Sequence, residues 1–386
     1  MAFQSLAEFA ALLQALPAPD AAAIAAAEAR NGTLTKPPGA LGRLEAVAIW
    51  MAGWQGTDRP SAKAPQIVIF AGNHGVTARG VSAFPAEVTV QMVANFSAGG
   101  AAINQLAKAF GARLDVHALD LDRPTADFTQ TAAMTEAEVV AALLTGWNAV
   151  DPAADLFVAG EMGIGNTTAA SALTCALLGL PGAAMAGPGT GIDASGVARK
   201  AAVIDRALSL HAERLSNPVE ALRRLGGFEL AAIAGAAISC AQRGLPFLVD
   251  GFIATASALA AVRMQPTVRG WLLFSHASAE PGHARLMQAL DAQALIDLGL
   301  RLGEALGLRW ADVDLDRRTL LVSVQVLRIA ALGALTVATV AGVLSLPLLL
   351  VGAFVLSIGQ TFYDTTSQAI LPMVAGTSEL TRANSR

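Results

Sequence analysis

Cysteine is scarce in this chain: Cys175 and Cys240 are the two in 386 residues, both in apolar helical sequence and far apart. No disulfide framework follows from such a pair, which reads as buried thiols of a cytoplasmic protein. The five histidines form no HExxH-type pair, and no metal-ligand spacing surrounds the cysteines, so neither metal nor cofactor is expected. Basic charge is also missing. A net charge of −4 and a pI near 5.8 leave no electrostatic footprint for nucleic acid. The first residues read as an alanine-rich amphipathic helix carrying acids, without the pattern of a secretory signal.

What is present changes along the chain. Residues 1–300 read as an Ala/Gly-rich globular protein long enough to bury a large core. From Ile329 to Tyr363, 35 residues pass without one charge. That exceeds the ~20 apolar residues that span a bilayer. This tail raises the mean hydropathy of +0.51, which does not describe the whole molecule.

Short apolar runs alternate with longer helical patterns. Ile67–Phe70 leads into Ala71-Gly72-Asn73-His74-Gly75, and Leu114–Leu119 into a polar linker and an acid-tipped helix. Phe247–Val249 ends at Asp250-Gly251, ahead of a helix from Phe252 to Val262; Trp271–Phe274 ends at Ser275-His276-Ala277-Ser278. The pattern predicts an α/β fold, a Rossmann-like parallel sheet with helices on both faces. Ligands bind such sheets beyond the carboxyl ends of the strands, where these polar words fall. Residues 1–50 carry two helical patterns separated by the rigid turn Lys36-Pro37-Pro38-Gly39, a small helical subdomain. The expected division is a helical subdomain at 1–60, an α/β domain at 61–304, a junction at 305–325 and an apolar helical tail at 326–386.

The most informative segment is Gly160-Glu161-Met162-Gly163-Ile164-Gly165-Asn166-Thr167-Thr168. It joins a buried strand, Leu156–Ala159, to a helix over Ala169–Leu178. A strand, a glycine-rich turn and a helix N-terminus together form a phosphate site, because free N–H groups and the helix dipole favour an anion. Glu161 stands where the loop leaves the strand. A carboxylate beside an anion site is electrostatically unfavourable unless it serves a substrate atom, so the segment reads as a catalytic cleft.

Nine words in this order resemble the nicotinate-nucleotide:dimethylbenzimidazole phosphoribosyltransferases, which make the lower-ligand nucleotide of cobalamin. They are KPPGALGRLE (36–45), AGNHGV with GVSAFPAEVT (71–76, 80–89), NFSAGGAAIN (95–104), GEMGIGNTT (160–168), GPGTGID (187–193), LGGFELAAIAGA (225–236), LVDGFIATASALAA (248–261), SHASAEPGH (275–283) and LGLRLGE (298–304). The resemblance covers residues 1–304 and implies a homodimer. It also implies transfer of phosphoribose from nicotinate mononucleotide to dimethylbenzimidazole with inversion at C1′, and no metal.

The resemblance makes Glu304 the general base and sets Glu161 beside the aromatic acceptor. Two carboxylates near an apolar slot raise each other's pKa. The amides of Gly163 and Gly165, with Asn166 and Thr167, are expected to cradle the phosphate, and Lys200 to stand near it. Ser82 and Gln91 are expected to line the benzimidazole pocket, with Met162 and Leu302 either packed on its ring or simple core residues. Gly189 and Ser278 are either phosphate or ribose contacts or plain turn residues. His74 either donates to substrate or caps its loop; Asp250 either binds ribose or caps the next helix.

After Glu304 the pattern breaks. GLRLGEALGLRWADVDLDRRTL, within 298–321, resembles the tyrosine recombinases, where the arginine matching Arg301 contacts the scissile phosphate. No downstream HxxR word follows and Tyr363 lies in an unrelated context, so strand cleavage is not expected. Residues 326–386 resemble a fragment of a major facilitator transporter. The chain therefore reads as a composite joined at GLRLGE, and the helix that should hold Glu304 is replaced. A base displaced by ~1 Å loses on the order of a hundredfold in rate. Two further readings follow: an inactive nucleotide- or benzimidazole-binding chimeric protein, and a membrane-associated protein acting through 329–363.

Overall fold

The computed structural model describes residues 2–14, 16–278 and 280–296, all within one unit, Met1–Gly307. Glu304, Leu302, the junction and the apolar run at 329–363 lie outside the described residues. Three helices open the chain, α1 (Leu6–Leu12), α2 (Ala21–Thr33) and α3 (Arg43–Gln55). Strands and helices then alternate as β1 (Pro65–Ala71), α4 (Glu87–Ser97), α5 (Ala102–Phe110), β2 (Arg113–Ala118), α6 (Glu136–Ala149) and β3 (Leu156–Met162). Four helices follow, α7 (Asn166–Leu178), α8 (Ala194–His211), α9 (Pro218–Leu225) and α10 (Phe228–Arg243). The described part ends with β4 (Phe247–Val249), α11 (Phe252–Met264), β5 (Leu272–His276), α12 (Pro281–Ala289) and β6 (Ala294–Ile296).

The six strands form one sheet in the order β2-β1-β3-β4-β5-β6, and every pairing is parallel. The strands read as unbroken apolar runs because both faces are covered. Val68, Phe70, Phe157, Ala159, Phe247 and Val249 enter the main core. Ile67, Ile69, Leu156, Val158 and Leu248 enter a smaller one, against Phe96 of α4 and Ile103 of α5. This alternation follows from the two-residue period of a strand.

The Ala/Gly content is a packing requirement of the helices. Every residue of α10 from Phe228 to Ala241 is buried. Its backbone meets α6 closely: a Cβ at Gly146 would collide with the Ala232 carbonyl, and one at Gly235 with that of Leu143. Gly146→Ala is therefore expected to destabilise the protein by about 3 kcal/mol through overpacking. A thermal melt reads this directly, and an unchanged midpoint would mean that the two helices do not touch backbone to backbone.

The amino-terminal region differs in detail from the sequence expectation. It holds three helices, because Pro17 and Pro19 end one helical pattern before Asp20 caps the next. Phe3 and Phe9 belong to the main core, and Phe3 meets Trp147 edge-on at 5.9 Å. The Pro-Pro-Gly turn is present, with Gly39 at φ +72°. Glu45 accepts hydrogen bonds from Asn31, Lys36 and Leu41 N–H, which hold its carboxyl at about 2.

Candidate active site

Strand order reverses direction at β1, whose neighbours β2 and β3 lie on either side. In open parallel sheets that is where the loops part and leave a crevice. Phe70 pairs with Glu161 and Ala71 with Met162, so the loops after β1 and β3 leave the sheet side by side. The Gly72 N–H donates to the Met162 carbonyl at 3.0 Å, fixing one loop on the other.

The glycine loop turns at once into a helix. Gly165 has φ +93° and is the N-cap of α7; a Cβ there would also meet Thr77 Cγ2 at 2.7 Å. Asn166 and Thr167, expected in the loop, instead form the first helical turn. The Ile164 N–H is taken by Thr89 Oγ1 at 3.1 Å, whereas those of Gly163, Gly165 and Thr167 meet no acceptor among the described residues. Lys200, 1% exposed, comes from α8 to the same place. Its ammonium donates to Thr167 Oγ1 at 3.2 Å and to the Gly187 carbonyl at 2.9 Å. Burial lowers its pKa, opposed by the charge of Glu280. Three unspent N–H groups, a helix N-terminus and a buried ammonium make an anion site.

Glu161 leaves β3 on the main-core face, as Phe157 and Ala159 do, while Met162 turns to the smaller core. Asn166 Nδ2 donates to Glu161 Oε2. Burial pushes the carboxyl up to about 8, reinforced by the charges of Glu229 and Asp250 and opposed by the Asn166 hydrogen bond. Glu161 is thus largely uncharged at neutral pH. The pKa of Asp250 is raised too, by burial, against the pull of His276, which stands 3.7 Å away.

Glu161 and His283 give opposite pH dependences of stability. Glu161 binds its proton more tightly folded than unfolded, so its contribution is lost as pH rises toward 8. His283 is held to about 4, first by burial and then by His276, so its contribution is lost as pH falls below its unfolded value. Between about pH 6.5 and 8 the Glu161 effect is unopposed by His283. Stability is expected to fall across that window in denaturant titrations, and Glu161→Gln to flatten the fall. An identical slope in both proteins would contradict the burial of this carboxyl.

A phosphoribosyltransferase family model matches residues 16–311. The nicotinate-nucleotide–dimethylbenzimidazole phosphoribosyltransferase of Ruegeria pomeroyi is 58% identical over 306 residues, covering 79% of this chain and 90% of that protein. The corresponding protein of Novosphingobium aromaticivorans is 54% identical over 305 residues, covering 79% and 90%. The crystal structure of CobT from Thermus thermophilus superposes with a TM-score of 0.66 at 42% identity, covering 74% of this chain and 91% of that one. The chain belongs to the nicotinate-nucleotide–dimethylbenzimidazole phosphoribosyltransferase family.

In this phosphoribosyltransferase several expected site residues meet, and others stand elsewhere or do different work. Glu161, Gly163, Gly165, Asn166, Thr167 and Lys200 converge as described. Gly189 lies against them, where a Cβ would meet Thr167 Oγ1 at 2.7 Å and Lys200 Nζ at 3.0 Å, but its N–H is taken by Glu280 Oε1 at 2.9 Å. Ser82 sits by that same turn, its Oγ 3.2 Å from Thr190 Oγ1. Gln91 is exposed on α4, and the residue of this helix that accepts a hydrogen bond from the loop is Thr89. Ser278 makes a turn: its Oγ accepts the Glu280 N–H and its N–H donates to His283 Nδ1 at 2.6 Å. Asp250 is not the cap of the next helix, for Gly251 is the N-cap of α11. His74 does not cap its loop; it reaches Glu229 Oε1 at 2.6 Å. Cys175 and Cys240 are buried thiols.

Sequence reasoning missed Glu229, Glu280, Thr89 and Thr190. One signal was available for Glu229, an acid inside the otherwise apolar word LGGFELAAIAGA. The other three are ordinary loop or helix residues until the fold closes. Two further clefts, of about 290 and 390 Å³, lie away from this site, one at the opposite end of the sheet by Lys63 and Arg113, the other by Arg123 and Arg223. Among the described residues no three His, Cys, Asp or Glu side chains are grouped to hold a metal ion, and no helix is long and apolar enough to cross a membrane.

Proposed function

We propose that this chain moves the phosphoribosyl group of nicotinate mononucleotide onto 5,6-dimethylbenzimidazole, yielding α-ribazole 5′-phosphate and nicotinate. The supporting observation is the pairing of a glycine-loop anion site, backed by Lys200, with a proton-holding carboxyl at Glu161. The phosphate would rest on the N–H groups of Gly163, Gly165 and Thr167 and on the Lys200 ammonium. The benzimidazole nitrogen lone pair forms the new bond to C1′ as the bond to the pyridine nitrogen breaks. That electron pair discharges the pyridinium, so the ring nitrogen departs uncharged and nicotinate keeps only its carboxylate charge. Attack opposite the leaving group inverts C1′. The other benzimidazole nitrogen then sheds its proton to a carboxylate, the role the family resemblance gives to Glu304.

Glu161 has the complementary task of orienting the acceptor. An ionised acid beside the ring would stabilise the protonated azole, which has no lone pair to attack with; an uncharged one does not. The reading also makes the protein a cytoplasmic homodimer, checked by light scattering of the full chain, with 329–363 the segment open to membrane contact. Incubation with nicotinate mononucleotide and dimethylbenzimidazole is expected to release nicotinate in step with the α-nucleotide. Mononucleotide binding without nicotinate release would reduce the protein to a binder and overturn the reading.

A further inference from the structure

The transfer mechanism leaves a fully buried acid unused. Glu229, in the first turn of α10, has no solvent-exposed surface on its side chain, and neither has His74, whose Nε2 lies 2.6 Å from Glu229 Oε1. Glu229 Oε2 and His74 Nδ1 are both buried without a hydrogen-bond partner among the described residues. Unsatisfied buried polar atoms of this kind are costly, and a fold retains them where they do something.

Three loops close on this carboxylate, each with a glycine. A Cβ at Gly72 would meet Glu229 Oε2 at 2.7 Å, one at Gly227 would meet it at 2.8 Å, and one at Gly163 would meet Oε1 at 3.2 Å. The same point at Gly163 lies 3.3 Å from Asn166 Nδ2, the group that donates to Glu161. Gly163 of the anion loop therefore lies against Glu229 and against Asn166, the amide that holds Glu161.

We infer that Glu229, held from behind by His74, is a positioning residue that governs how readily Glu161 gives up its proton and braces the glycine loop in the same act. Two carboxyl groups sharing a site cannot both ionise freely, and a buried partner screened from water acts most strongly. The groups facing Glu161 are Glu229 from α10, Asp250 from the end of β4 and the amide of Asn166. His276 stands beside Asp250, and His74 beside Glu229. The Glu229 charge is among the causes that hold the Glu161 carboxyl up, as is that of Asp250.

The test is a carboxyl-carbon NMR titration of the full chain, with the Glu161 signal assigned by its loss in Glu161→Gln. The midpoint in the unaltered protein is expected near 8. In Glu229→Gln, which keeps shape and hydrogen-bonding capacity, it is expected to fall by about one pH unit. A folded Glu229→Gln protein with an unmoved midpoint would overturn the inference and leave a purely structural brace. Should that variant fail to fold, His74→Leu serves instead: it strips the buried Glu229 carboxylate of its partner, so the Glu161 midpoint must move, and an unmoved midpoint would overturn the inference. The kinetic consequence rests on the transferase reading. There the basic limb of the pH–kcat profile moves with the midpoint while mononucleotide affinity holds. Because the titration needs no turnover, a failed transferase reading and a failed inference give different results.

Discussion

Replacing Lys200 by methionine is expected to weaken binding of nicotinate mononucleotide by about a hundredfold. Methionine keeps most of the volume and removes the charge, so packing is nearly conserved. The ammonium has three protons, and two are spent on Thr167 and the Gly187 carbonyl. The third is free for a phosphate oxygen, in a place 1% exposed where water competes weakly. A hydrogen bond to a charged group contributes about 1.5–3 kcal/mol, or roughly 10- to 150-fold in affinity. The expected value sits at the upper end because the site is dry. Losing the cation also leaves Glu280 on the Gly189 N–H without its counter-charge, which further disfavours an incoming anion. Calorimetric titration of both proteins with the mononucleotide checks this, with inorganic phosphate as competitor. Equal affinities would place the phosphate elsewhere.

Glu304→Gln is expected to lower kcat by on the order of 10²–10⁴, the usual worth of a general base, with mononucleotide affinity unchanged. Glu161→Gln should lose only about tenfold, because an amide mimics the uncharged carboxyl that a value near 8 implies at neutral pH. The contrast between the two variants carries the argument. Both residues are acids in the same reading, yet one works ionised and the other protonated. If the order of the effects were reversed in a steady-state assay, Glu161 would be the base and the role of Glu304 would have to be given up.

Much of this site was legible beforehand, for definite reasons. Continuous apolar runs revealed β1, β3 and β4 because parallel strands are covered on both faces. Gly163 and Gly165 announced the anion loop because close backbone approach tolerates no Cβ there. The resemblance of nine words supplied Lys200, which as a lone lysine on a helix carries no signal. Glu229 stayed hidden because an acid in the first turn of a helix is also what the helix dipole favours. Gln91 is exposed on α4, while Thr89, two positions back and so on another side of that helix, is the residue whose hydroxyl accepts from the loop. Asp250 and Ser278 stood between two roles in the sequence. The structure gives Ser278 its turn and denies Asp250 its cap.

The central claim is that one cleft at the β1–β3 edge holds the phosphate against Lys200 and the glycine loop. A crystal structure of the full chain soaked with nicotinate mononucleotide measures this directly. The account requires phosphate oxygens within hydrogen-bonding distance of the Gly165 and Thr167 N–H groups and of Lys200 Nζ, with C1′ open toward Glu161. A phosphate seated away from the α7 N-terminus, with the three N–H groups still unpartnered, would contradict it.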